Sequence, residues 1–221
     1  MEFVRRGAYD AAMAMKSMKQ TIYLASRSPR RRELLKQIGV AFQLFQLREE
    51  AGRDPDVDET PGKDETAAAY ALRIARTKAE VAAHYMQRRA LSQRWPVLAA
   101  DTTVVCAGRI IGKPASNDEA TRMLKDLAGT QHEVVTAVAL AFNDRVETAV
   151  SESKVWFRDL TQDEIRRYVA SGESLDKAGG YAIQGRAAAF ITRIEGSYSG
   201  IVGLPLAETA SLLAKAGIET L

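Results

Sequence analysis

Cysteine occurs once in the 221 residues, at Cys106. That excludes an intrachain disulfide and fits a reducing compartment. Its neighbours Val104 and Val105 favour a buried structural thiol over a nucleophile. Histidine occurs twice, with no nearby Cys or paired carboxylates, so a zinc site is not expected. No apolar run reaches the ~18 residues that cross a bilayer. Arg5 and Arg6 stand early, but residues 1–20 lack the apolar core and cleavage pattern of a signal peptide. A surplus of charge is missing too. Thirty-one Lys and Arg face 28 Asp and Glu, a net charge of +3, and composition does not call for a nucleic-acid partner. The expectation is a cytoplasmic protein that engages neither membrane nor nucleic acid.

The chain is 46% hydrophobic and 27% charged, which places it with ordinary globular proteins and against disorder. Its length suits one large domain or two closely packed lobes. Residues 1–20 read as an N-terminal extension, with Met18 as an alternative start, and residues 21–221 as the domain.

The most informative stretch runs from Leu24 to Leu35. Thr21 to Leu24 reads as a strand, and a helix then starts with Ser28 as N-cap and Pro29 in the first position. Leu34, Leu35 and Ile38 form its buried face, and Gly39 stands where a helix ends. Helix N-termini carry partial positive charge and attract Asp or Glu. Here the first turn carries Arg30, Arg31 and Arg32 instead. Cations at an already positive end make sense around a bound anion, where backbone N–H groups and guanidinium forks hold phosphate. The alternative is a capped surface helix with solvated arginines.

Phe42 and Leu44 mark a second strand, followed by an acidic loop with Pro and Gly. Asp64 to about Arg89 has the spacing of a long helix through Ala68, Leu72, Ala75, Ala79 and Ala82. Val97 to Ala100 reads as a buried strand ending in Asp101-Thr102-Thr103, with Val104 to Ala107 extended and a turn at Gly108-Arg109. Ser116 or Asn117 caps the next helix, which stops near Gly129. Glu133 to Asn143 and Arg145 to Phe157 are strand-like. Thr161 caps a short helix, Asp176 to Gly185 is a glycine-rich loop, Phe190 to Ile194 is a strand, and Gly196-Ser197-Tyr198 is a turn. Pro205 opens a last helix. Strands in consecutive runs among helices indicate a mixed α/β architecture and argue against a simple doubly wound sheet.

Six stretches stand out together: LASRSPRR at 24–31, AADTTV at 99–104, GKP at 112–114, HEVVTAVAL at 132–140, DKAGGYAIQG at 176–185 and GSYSGIVGLPL at 196–206. In this order they resemble the Maf family of nucleoside triphosphate pyrophosphatases, from about Ile22 to near the C-terminus. The YAIQG stretch resembles the branch acting on dTTP and UTP; the branch acting on 7-methylguanosine triphosphate differs there. The resemblance implies a Maf/ITPase-like fold: an elongated mixed sheet flanked by helices, with two lobes around a deep cleft. It implies hydrolysis of a nucleoside triphosphate to the monophosphate and pyrophosphate, with a divalent metal, Mg²⁺ or Mn²⁺, as cofactor, and removal of unwanted or modified nucleotides as its sense. Two rivals are the same chemistry on 7-methylguanosine triphosphate, and a nucleotide-binding regulator of septum formation without turnover. A homodimer is compatible with all of this.

By resemblance Asp101 is the proton acceptor that activates water, and also a metal ligand. A carboxylate at a strand end is well placed for a site, although most such Asp residues only bond their own backbone. Arg30 and Arg31 match the family's phosphate-facing arginines, and Arg30 also a selectivity position; Arg32 has no counterpart and reads as solvated. Ser26 and Ser28 would donate to phosphate, or are simply caps. Lys78 and Lys113 match family lysines suited to a moving polyphosphate. Gln184 complements the N3–H and O4 edge of uracil or thymine, but its amide turned over fits cytosine equally well. Thr102, also a selectivity position by resemblance, or a backbone group would fix the orientation. Mg²⁺ prefers one or two carboxylates plus phosphate oxygens, and Glu50 is put forward as the second ligand. His132 reads as a structural hydrogen bonder.

Overall fold

The structure is a computed structural model that describes residues 21–47, 56–88 and 95–221. Its strands are β1 (Thr21–Leu24), β2 (Ala41–Leu44), β3 (Val97–Cys106), β4 (Arg109–Ile111), β5 (Gln131–Phe142), β6 (Arg145–Phe157) and β7 (Ile191–Glu195). Its helices are α1 (Pro29–Gln37), α2 (Ala67–Arg88), α3 (Asn117–Leu127), α4 (Gln162–Ala170), α5 (Tyr198–Val202) and α6 (Leu206–Lys215). The expected extension, residues 1–20, lies outside the described residues.

All seven strands join one sheet in the order β2-β1-β3-β5-β6-β7, with β4 also on β3. β2, β1 and β3 run parallel, as connections passing through α1 and α2 allow. The remaining pairs are antiparallel. Ala107-Gly108 (φ 49 and 74) and Asn143-Asp144 (φ 49 and 58) supply the paired positive φ angles of tight hairpin turns. The fold is therefore the mixed α/β sheet flanked by helices that the pattern indicates.

Alternation of side chains along β3 decides which helix covers which face. Val97 and Ala99 pack with Ala71, Ile74, Ala75 and Ala79 of α2, whose alanine face lets the helix lie close. Leu98 and Ala100 pack with Leu34 and Leu35 of α1 and Leu212 and Leu213 of α6. With both faces covered, β5 is buried without a break from Val134 to Phe142. A third cluster joins α3 and α4 to the far end of the sheet through Val104, Phe157, Tyr181 and Ile183.

Two sequence expectations change. β3 does not end at Asp101. It runs unbroken from Val97 to Cys106, and Asp101 sits in its middle, opposite Ala137 of β5 and 8% exposed. The polar run Asp101-Thr102-Thr103 imitates a strand end because Asp101 and Thr102 line a cavity and Thr103 is buried, none of them facing bulk water. The turn expected at Gly196-Ser197-Tyr198 is the start of α5, with the Ser197 side chain accepting from the Gly200 amide as N-cap.

The edges of β3 place the site. On one edge β5 pairs with it from Val97 to Val105. On the other, β1 reaches only as far as Leu98, and β4 begins only at Val104. The last rung toward β1 is the Ala25 amide donating to the Leu98 carbonyl at 2.8 Å. From Ala99 to Thr103 no strand among the described residues adjoins β3 on that side. The sheet is open there.

Candidate active site

A cavity of about 290 Å³ occupies this gap. Among the described residues, Arg27, Arg30, Arg31, Lys78, Lys113 and Lys177 line it against two carboxylates, Asp101 and Asp176. That local surplus of positive charge exceeds the net +3 of the whole chain. A hollow so lined draws in anions.

The start of α1 forms one wall. Ser28 caps it, its Oγ accepting from the Arg31 amide, and Ser26 Oγ accepts from the Ser28 amide and from Arg31 Nη1 at 3.2 Å. Arg31 also donates through Nε to the Gly203 carbonyl at 2.7 Å and through Nη2 to Thr102 Oγ1 at 3.3 Å. Arg31 thus ties α1 to the end of α5 and to β3 while facing the cavity. Gly203 has φ 129, and a Cβ there would lie 3.6 Å from Thr102 Oγ1 and 3.7 Å from Arg31 Nε. Those are ordinary contact distances, so it is the positive φ that favours glycine at this position. Arg30 meets Asp176 at 3.4 Å across the cavity. Arg32 lies outside the cavity lining.

On the opposite face of β3, Lys78 of α2 donates to Asp101 Oδ1 at 2.9 Å and reaches Glu59 Oε1 at 2.6 Å. The Lys78 side chain is only 11% exposed. Burial works against its charge, but Asp101 and Glu59 more than compensate and raise it above its ordinary 10.5. Burial likewise disfavours the Glu59 carboxylate, yet Lys78 first, then Lys113 and Arg31, hold it below the usual 4.5. Glu59 and Lys78 therefore remain ionised at neutral pH.

Gln184 lies exposed in the lining, in a segment anchored from behind. Tyr181 bonds the buried His132 Nε2 at 2.7 Å, and the Ala182 amide donates to the Tyr168 hydroxyl at 3.2 Å. Gly179 packs against Val104, where a Cβ would come within 3.1 Å. His132 is thus a structural hydrogen bonder, as its sequence context suggests.

The model of a family described as Maf-like protein matches residues 21–216. The chain belongs to the Maf family. A relative from Aromatoleum aromaticum, named dTTP/UTP pyrophosphatase, is 54% identical over 204 residues, covering 92% of this chain and 98% of its own. Relatives with the same name from Nitrosomonas europaea and Dechloromonas aromatica are 54% and 46% identical over 198 and 200 residues. Each spans 90% of this chain, with 95% and 99% of its own length matched.

In this Maf chain every expected site residue among the described ones lines the single cavity at the gap. Glu50, the expected second metal ligand, lies outside the described residues. Among the described residues the carboxylate that shares the Lys78 ammonium with Asp101 is Glu59, which the sequence pattern does not single out. It sits in the acidic loop before α2, and only the contact through Lys78 reveals it. Among the described residues no three His, Cys, Asp or Glu side chains gather as a metal cluster. Asp101, in the cavity lining, fits a Mg²⁺-type ion, which takes most of its ligands from phosphate and water, whereas Glu59 lies on the far side of the Lys78 ammonium. No helix among the described residues is long and apolar enough to cross a membrane.

Proposed function

We propose that this protein is a cytoplasmic, metal-dependent pyrophosphatase that hydrolyses dTTP and UTP to the monophosphate and pyrophosphate. The observation that carries this reading is that one cavity holds both halves of such a site. Asp101, Lys78, Arg30, Arg31 and Lys113 line the same hollow as Gln184 and Thr102. The names of the relatives, dTTP/UTP pyrophosphatase, support the same substrates.

The triphosphate lies against the start of α1 and the lysines, whose fixed cations offset charge that builds up during transfer. Ser26 and Ser28 add hydroxyls beside it, and Arg30, paired with Asp176, contributes to the choice of substrate. The base lies toward Gln184 and Thr102. Asp101 takes the proton of the attacking water, oriented by the Lys78 ammonium at 2.9 Å. A divalent cation, Mg²⁺ or Mn²⁺, would be held by Asp101 together with phosphate oxygens and would polarise phosphate and water oxygens. Pyrophosphate release from a panel of nucleoside triphosphates, with each metal, tests the reading in wild type and Asp101→Asn. Turnover of dTTP and UTP that disappears in the variant is the expected result. Equal rates on all bases, or an active Asp101→Asn, would sink it.

A further inference from the structure

Gln184 cannot by itself separate uracil from cytosine, because its amide fits either edge once turned over. A fixed group must break the tie. Thr102 and Thr136 form a directly opposed pair between β3 and β5. Thr136 is 0% exposed and stands behind Thr102, out of the cavity. Its Oγ1 lies 2.8 Å from the Gly200 carbonyl oxygen and 3.0 Å from Thr102 Oγ1.

A threonine hydroxyl has one proton, and a carbonyl has none. The contact with Gly200 therefore takes the proton of Thr136. The angles at the two hydroxyls aim Thr136 at both oxygens; its single proton serves the shorter contact, to Gly200, and the proton of Thr102 then closes the contact between the threonines. On its other side Thr102 meets Arg31 Nη2 at 3.3 Å, and a guanidinium only donates. The protons point one way, from Arg31 to Thr102 to Thr136 to Gly200. Thr102 has no proton left to offer the cavity, and its oxygen can only accept.

We propose that Thr136 is a specificity-determining positioning residue: by taking the only proton of Thr102 it makes that oxygen an obligate acceptor, which selects pyrimidines carrying N3–H, uracil and thymine, against cytosine. This rests on the pyrimidine nucleotide reading of the cavity given above. Cytosine presents a lone pair at N3, and two acceptors would then face each other in a site partly shielded from water.

The test is kcat/KM for UTP and CTP with wild type, Thr136→Val and Thr136→Ser. Valine keeps the shape and frees the Thr102 proton to turn outward; serine keeps the chain. The UTP-to-CTP ratio is expected to fall about tenfold or more in the valine variant and to stay within about twofold in the serine variant. A valine variant that slows both substrates by one factor overturns the proposal, as does a serine variant that behaves like valine. If Thr136→Val does not fold, Thr102→Val removes the acceptor while leaving the Thr136–Gly200 bond, and the same fall in the ratio is expected; an unchanged ratio overturns the proposal. If wild type turns over neither UTP nor dTTP, the pyrophosphatase reading fails on its own. The ratio of UMP to CMP dissociation constants in the same proteins then decides the role of Thr136, by the same criteria.

Discussion

Asp101 and Thr102 are neighbours in the chain and opposites in their surroundings. The Asp101 side of β3 is ionic: Lys78 joins two carboxylates, and Lys113 and Arg31 add to the field on Glu59. The Thr102 side runs from the Arg31 guanidinium through two hydroxyls and a carbonyl, backed by an aromatic layer around His132. Reaction chemistry needs charge that stays in place, whereas telling one neutral base from another needs donors and acceptors whose direction is set. One strand supplies both because its two faces point into different environments and its open edge lets them share one hollow.

The two sides should break differently. The largest effect belongs to Asp101→Asn, which keeps the shape and removes the base. A fall of about 10³-fold in kcat for UTP is expected, with little change in KM, measured as pyrophosphate release. Next comes Lys78→Met, which leaves Asp101 and Glu59 without the cation between them. It should lose on the order of 3 kcal/mol in urea denaturation, and Glu59→Gln added to it should recover part of the loss. A Lys78→Met protein as stable as wild type would show that the cluster is wet and weak.

Acid should strike the neutral side first. Burial pushes His132 down from 6.5 to about 4, and protonating the ring would bury a second N–H, since Nδ1 has no partner among the described residues. The unfolded chain takes up this proton below 6.5 and the folded protein only near 4, so stability falls with pH through that window and is unaffected above it. About 2 kcal/mol should be gone by pH 5, at about 1.4 kcal/mol per pH unit. Glu59, depressed below 4.5, loses its contribution only at still lower pH. Thermal melts from pH 8 to 4 should show a steeper fall in wild type than in His132→Gln; parallel curves would remove His132 as the cause. The smallest effect is expected at the Arg30–Asp176 pair, where Asp176 is 64% exposed. Asp176→Asn should change stability by less than about 0.5 kcal/mol.

Much of this could be read from local pattern. The Ser28 cap, Pro29, the buried face of α1 and the positive φ of Gly39 all follow from short-range preferences. Thr161 likewise forms a full capping box with Glu164. Motif order also gathered Arg30, Asp101, Lys113 and Gln184 correctly into one hollow. What escaped depends on contacts across the sheet. The continuity of β3 was hidden because Asp101-Thr102-Thr103 looks solvent-bound until the gap beside it is known. Thr136 is a lone hydroxyl in an apolar strand, and only the register between β3 and β5 sets it against Thr102. Glu59 is one of several acidic residues in its loop, and nothing near it in sequence singles it out.

The missing rungs between Leu98 and Val104 have a consequence for self-association. An unpaired strand edge normally invites a stray strand from another molecule, and proteins guard such edges with charge, bulges or short length. Here β1 and β4 stopper both ends of the opening, leaving a slot of about 17 Å at ~3.3 Å per residue, with arginines and lysines on its rim. An intruding strand would have to shed its neighbours on either side to enter. The protein can keep a bare strand edge at its centre for a small guest while remaining closed to aggregation through it.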